Sequence, residues 1–188
     1  MKMLMLFSDG FEEIEAVAPI DLLRRAGVSV ETCSITENST LTGAHGIPFG
    51  VDSVLPQEID TAKAEALAAS YDGLLLPGGQ PNAGTLCGDA RVLQIVQAFF
   101  AADKITAAIC AAPCVFERAG ILTDKKATSY PGCIDPASCA EYRQDRVVRD
   151  GTVITSRAAG TAIDFGLEIL RGLGLAEQAE SVRAQILY

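Results

Sequence analysis

Short apolar runs, rich in β-branched residues or leucine, recur along the chain and are bounded by Gly, Pro or Asp. They are residues 2–7 (KMLMLF), 28–35 (VSVETCSI), 73–76 (GLLL), 105–109 (ITAAI) and 152–155 (TVIT). Runs of that length with such boundaries predict strands. Between them the apolar spacing changes to three and four. Residues 12–26 place Ile14, Val17, Ala18 and Leu22 at i, i+3, i+4 and i+8, which predicts one buried stripe of a helix. Gly27, after Arg24 and Arg25, reads as its stop, and Pro19 inside the stripe is expected to kink it. Residues 61–69, 89–101, 112–119, 161–173 and 175–184 read as further helices, and Asp150-Gly151 as a hairpin turn.

Strands that alternate with helices and are apolar almost throughout predict a parallel sheet covered on both faces, an α/β doubly-wound fold. No internal repeat, low-complexity tract or linker divides the 188 residues, so one domain over 1–188 is expected. In such sheets ligands bind at the carboxyl ends of the strands. That rule selects Ser8–Gly10, Pro77-Gly78-Gly79 and Cys110.

Composition narrows the function. A net charge of −9 and the lack of any polybasic run make nucleic acid and anionic membranes poor partners. No window is apolar for long enough to span a bilayer. The N-terminal apolar run is too short for a signal-peptide core, so a cytoplasmic location with reduced thiols is the expectation. The six cysteines are Cys33, Cys87, Cys110, Cys114, Cys133 and Cys139. Neither Cys110-x3-Cys114 nor Cys133-x5-Cys139 is the paired C-x2-C ligand pattern, and His45 is the single histidine, so no metal site is expected.

Cys110 falls where an apolar strand gives way to Ala111, Ala112 and Pro113. Small neighbours permit a tight corner like the nucleophile elbow of hydrolases. Such a corner lifts the sulfur from the sheet edge and aims the first N–H groups of helix 112–119 at it. A cysteine so placed can fall from about 8.5 toward roughly 4–7 in pKa; the alternative is a small buried core residue. In Pro77-Gly78-Gly79 two glycines allow close approach of backbone to ligand and offer N–H groups to a developing oxyanion. The nucleotide-binding glycine patterns are absent. Glu12 and Glu13 read as solvated first-turn acids. Glu15 fits a surface position or an inward one equally well; pointing inward, it would keep its proton and donate to a thiolate.

The segments "DGFEEIEAVAPIDLLRRAG", "YDGLLLPGG", "AAICAAP" and "VITSRAAGTAIDFGLEIL", in this order, cover most of the chain. On them the chain resembles the ThiJ/PfpI superfamily (class I glutamine amidotransferase-like domains), in the branch of the Parkinson-disease-associated protein deglycase. The resemblance implies a flavodoxin-like sandwich, a homodimer and a reactive cysteine at the elbow. It matches Cys110 to that cysteine, Glu15 to a protonated glutamate bonded to it, and Gly79 and Ala111 to the backbone donors of an oxyanion site. One departure is Tyr130 in "TSYPGC", where members often carry histidine, so no Cys–His pair can form there. Tyr130 either donates to a substrate carbonyl or walls the pocket. His45 matches a segment near the dimer contact. Cys114, four residues beyond Cys110, is expected to face the core inertly. Cys133 is a conceivable resolving thiol for oxidised Cys110, and Arg157 either holds an anionic ligand or makes a structural ion pair.

Two functions follow from the resemblance and the residues together. One is a cofactor-independent enzyme acting on glyoxal- or methylglyoxal-type carbonyls, or on their adducts with proteins. The other is a sensor or chaperone-like protein in which Cys110 is oxidised without turnover. An amide hydrolase ranks last, because Ala111 stands where its histidine is expected.

Overall fold

Strand β1 (Lys2–Phe7) sends Leu4 and Leu6 into one apolar cluster and Met3, Met5 and Phe7 into another on the opposite face. That is the period of two that a pleated strand imposes, and it sets the architecture: a sheet with a core on each side. The computed structural model describes residues 1–188. After β1 come α1 (Glu13–Arg25), β2 (Ser29–Ser34), β3 (Thr40–Thr42), β4 (Pro48–Gly50), β5 (Ser53–Val54), α2 (Thr61–Ser70) and β6 (Gly73–Leu76). Then follow α3 (Gln80–Gly88), α4 (Ala90–Ala101), β7 (Ile105–Ile109), α5 (Pro113–Arg118), β8 (Lys126–Ala127) and β9 (Glu141–Tyr142). The chain closes with β10 (Val147–Asp150), β11 (Val153–Ser156), α6 (Ala162–Gly172) and α7 (Ala176–Gln185).

Seven strands form one sheet in the order β10-β11-β7-β6-β1-β2-β5. Every neighbouring pair is parallel except the β10–β11 hairpin. Helices α2, α3, α4 and α5 cover one face through residues such as Ala68, Leu86, Phe99 and Phe116. Helices α1, α6 and α7 cover the other through Ile20, Leu23, Phe165, Leu170 and Val182. The doubly wound α/β fold read from the sequence is therefore the one observed. No helix is long and apolar enough to cross a membrane.

One expectation about α1 needs correction. Its buried residues are Glu13, Glu15, Ala16, Pro19, Ile20, Leu22 and Leu23, whereas Ile14 and Val17 are exposed. The core-facing stripe is thus rotated from the one that apolar spacing selects, because the helix must turn Glu15 toward the strand ends. Pro19 lies inside this helix, which runs on to Arg25. Gly166 on α6 makes this packing possible, since a Cβ there would meet Leu22 Cδ1 at 2.7 Å and Pro19 Cα at 3.3 Å. Sequence periodicity does not reveal α3, whose residues QPNAGTLCG carry a proline, an asparagine and two glycines, all weak helix formers.

Candidate active site

β1 lies between β2 and β6, so the chain leaves it first toward one sheet edge and later toward the other. The crevice at such a reversal is where ligands bind in this architecture. Three chain segments meet there: the turn Ser8–Glu12 after β1, Pro77-Gly78-Gly79 after β6, and Cys110 after β7.

Cys110 has φ 63°, a left-handed conformation that costs a non-glycine residue about 1–3 kcal/mol. Two backbone hydrogen bonds hold it there. Its N–H donates to the Ser156 carbonyl at the end of β11 (2.9 Å), and its carbonyl accepts from the Tyr130 N–H (2.7 Å). The side chain is half-buried, and the N–H groups of Ala111 and Gly79 donate toward its sulfur. The corner read from the sequence therefore exists.

Glu15 is fully buried, on the inward face of α1. Its Oε2 accepts from the Gly78 N–H at 3.0 Å, and its carboxyl is within proton-sharing reach of Cys110. Gly78 must be glycine for space alone. A Cβ there would strike the Glu15 carboxylate, Cys110 Cβ at 2.7 Å and the Ile109 carbonyl at 2.9 Å. Gly79 must be glycine for conformation, at φ 89°.

Both acids are shifted upward. Burial, opposed by the thiol and the Gly78 N–H, leaves Glu15 at about 7. Burial, aided by the neighbouring Glu15 charge, pushes Cys110 up to about 12, against the pull of the Ala111 and Gly79 N–H groups. This corrects the lowered thiol expected from a helix N-terminus. Helix α5 is only six residues long, and desolvation next to a carboxylate outweighs what its first turn offers. Two groups this close titrate as a pair, so the first proton leaves the pair, not one named atom.

Asn82 is a positioning residue that the sequence does not single out. Fully buried at the start of α3, its Nδ2 donates to the carbonyls of Pro77 (2.8 Å) and Gly78 (3.0 Å). Its Oδ1 accepts from the Ser8 N–H at 2.7 Å. One side chain thus ties the end of β1 to the turn after β6. Its only signal was its place just after that turn, within a helix too irregular to detect.

Glu13 is buried, not solvated as expected. Its carboxylate accepts from the His45 N–H (2.7 Å) and pairs with His45 Nδ1 (2.8 Å). Burial would raise Glu13, but these bonds prevail and hold it at about 2. His45, on the β3–β4 turn, is raised chiefly by its hydrogen bond to Glu13. Ligand atoms of Glu12, Glu13 and His45 lie within 4.8 Å of one another. Glu12 Oε2 already accepts from the Glu15 N–H as the helix cap, so the cluster locks the hairpin onto α1.

Tyr130 sits on the elbow through its backbone, with its ring 48% exposed. Arg157 follows Ser156 and makes no ion pair; its Nη1 is buried without a partner, which removes the structural salt bridge as its explanation. Cys133 lines a neighbouring groove with Cys87 and Cys114. Cys114 is half-buried there and packs against the core.

Residues 1–172 match the family model described as the DJ-1/PfpI family. The chain is 34% identical over 181 residues to Protein DJ-1 homolog A of Arabidopsis thaliana, covering 95% of this chain but only 44% of that protein, so it spans less than half the length of this relative. It is 33% identical over 163 residues to Deglycase PH1704 of Pyrococcus horikoshii, covering 84% of this chain and 90% of that one. Among solved structures, oxidized Toxoplasma gondii DJ-1 superposes with a TM-score of 0.85 at 31% identity, over 100% of this chain and 98% of that chain.

Proposed function

The chain belongs to the DJ-1/PfpI family, and on that premise we propose that it is a cofactor-independent cysteine enzyme acting on glyoxal- or methylglyoxal-type carbonyls or their protein adducts. The observation that carries the reading is the buried Glu15 carboxyl beside Cys110, with the Ala111 and Gly79 N–H groups directed at the same sulfur. A similar protein being named a deglycase supports it.

The reactive form is the singly ionised pair with the charge on sulfur and the proton on Glu15. The thiolate adds to the aldehyde carbon of methylglyoxal, and the new oxyanion is held by the N–H groups of Gly79 and Ala111. Glu15 protonates that oxygen, giving a hemithioacetal. The carboxylate then takes the proton from the former aldehyde carbon and returns it to the adjacent carbon as the enediol collapses. A lactoyl thioester results, and water releases lactate and the free thiol. Gly78 keeps Glu15 aligned, Tyr130 frames the mouth, and Arg157 offers a guanidinium to an anionic substrate.

The test is lactate release from methylglyoxal by the wild type, Cys110→Ser and Glu15→Gln. Loss of turnover in both variants is expected; equal rates in all three end the proposal. A second reading draws on the similar protein described as oxidized: Cys110 serves as an oxidation sensor. Oxygen added to Cys110 by mild peroxide, with no turnover of carbonyls, would favour it. The proposal extends to assembly as a homodimer. Ile14, Val17 and Ile47 are exposed apolar residues on α1 and on the hairpin turn that His45 fastens to it, and a second copy would cover them.

A further inference from the structure

Helix α3 leads away from Gly79 and helix α5 from the Cys110 elbow, and the two pack against each other. Where they meet, two thiols cross. Cys87 Sγ on α3 donates to the Cys114 carbonyl at 3.5 Å, and Cys114 Sγ on α5 donates to the Ala83 carbonyl at 3.8 Å. The sulfurs are also in mutual hydrogen-bonding range. Both side chains are half-buried, and with Gln80, Ala111, Arg118 and Cys133 they line an open groove of about 400 Å³. Neither of these two thiols is used by the chemistry at Cys110.

We propose that Cys87 and Cys114 form a second, reversible redox site, in which a hydroperoxide entering the groove converts them to a disulfide that clips α3 to α5. The Cys87 sulfur attacks the outer peroxide oxygen; the O–O bond breaks and the alcohol, or water from hydrogen peroxide, departs with the thiol proton. The Cys114 sulfur then attacks the sulfenic sulfur. The S–S bond forms, the S–O bond breaks, and hydroxide leaves as water with the Cys114 proton. Two thiols are oxidised by two electrons and one peroxide is reduced. Burial pushes the Cys114 thiol up, which leaves Cys87 as the thiol that meets the peroxide first.

The bond replaces only two weak S–H···O contacts. Space exists for the helices to adjust, since nothing lies within 4 Å of a Cβ built at Gly84 or Gly88 on α3. Cys133 lines the same groove, but its Sγ is engaged by Gln80, accepting from Nε2 at 3.6 Å. The clip would fix the spacing of the turns that carry the Gly79 and Ala111 N–H groups.

The experiment uses the full chain with Cys110→Ser, so that neither outcome depends on the carbonyl chemistry. The protein is treated with one equivalent of hydrogen peroxide, quenched with N-ethylmaleimide and mapped without reduction. The expected product has lost two hydrogens and yields a linked Cys87–Cys114 peptide that dithiothreitol releases. Adding Cys87→Ser or Cys114→Ser abolishes the link, and adding Cys133→Ser leaves it. Oxygen gained without a link, a link through Cys133, or full alkylation of both thiols overturns the proposal. The deciding map is read on a chain with all three groove cysteines intact.

Discussion

Glu15 carries its proton into neutral solution because the fold leaves its carboxyl no water. An ordinary value of 4.5 rises to about 7 on burial, so the native state binds a proton that the unfolded chain has already released. The stabilisation is complete below the unfolded value and is lost as pH rises through about 7. A rise from 4.5 to about 7 corresponds to about 3 kcal/mol. Urea melts from pH 5 to 8 should therefore show wild-type stability falling relative to Glu15→Gln; parallel profiles would contradict it. The same pair sets thiol reactivity. Because the ionised Glu15 raises the neighbouring thiol, iodoacetamide should alkylate Cys110 with a midpoint that Glu15→Gln moves downward. A midpoint unchanged in Glu15→Gln would show that the two groups do not titrate as a pair. The Glu13–His45 bond has the same sign. Its histidine is raised, so the charged pair persists below the ordinary imidazole value and is lost as pH rises through the shifted one. The chain has one histidine, so an NMR titration follows a single imidazole, and Glu13→Gln should lower its midpoint. Residue identity made Cys110 legible at this scale, and the family pattern made Glu15 so. Glu13 was misread because its partner lies 32 positions away, and the thiol's direction was missed because local sequence does not encode desolvation.

Among the elements, the strands were the most legible. β1, β6 and β7 occupy the ranges that their apolar runs mark, and β2 and β11 differ by one residue at their ends. Buried parallel strands are written in continuous hydrophobic letters, and nothing competes with that signal. The face of α1 was not legible. It buries two carboxylates and exposes Ile14 and Val17, inverting what burial by hydrophobicity alone would choose. Nor was α3, which is nucleated by a glycine turn and pinned by Asn82, not by its own propensity. Asn82→Ala tests that pin. It leaves the buried Ser8 N–H and the Pro77 carbonyl without their partner, while the Gly78 carbonyl keeps the Glu12 N–H; the expected cost is about 1–3 kcal/mol in urea unfolding at pH 7. Methylglyoxal turnover should fall with it, because the turn that bears Gly78 loosens under Glu15. Unchanged stability would show that water replaces the amide.

For the whole molecule, the covered parallel sheet was implied by the alternation of elements, and with it the strand ends where the site lies; the strand order was not. Assembly was open to the family pattern only, since an exposed Ile14 or Val17 reads as core in a one-dimensional pattern. Val17→Glu places a charge in that apolar patch. Light scattering should report monomers with unchanged circular dichroism, whereas a mass equal to the wild type's would place any self-association elsewhere. The elbow itself is a long-range construction: the carbonyl that holds Cys110 in its left-handed turn belongs to Ser156, 46 positions later in the chain. A nascent polypeptide therefore carries a relaxed, unarmed thiol until its final strand has emerged and docked. The nucleophile is cocked only once the sheet is complete, with α6 and α7 alone still to be placed.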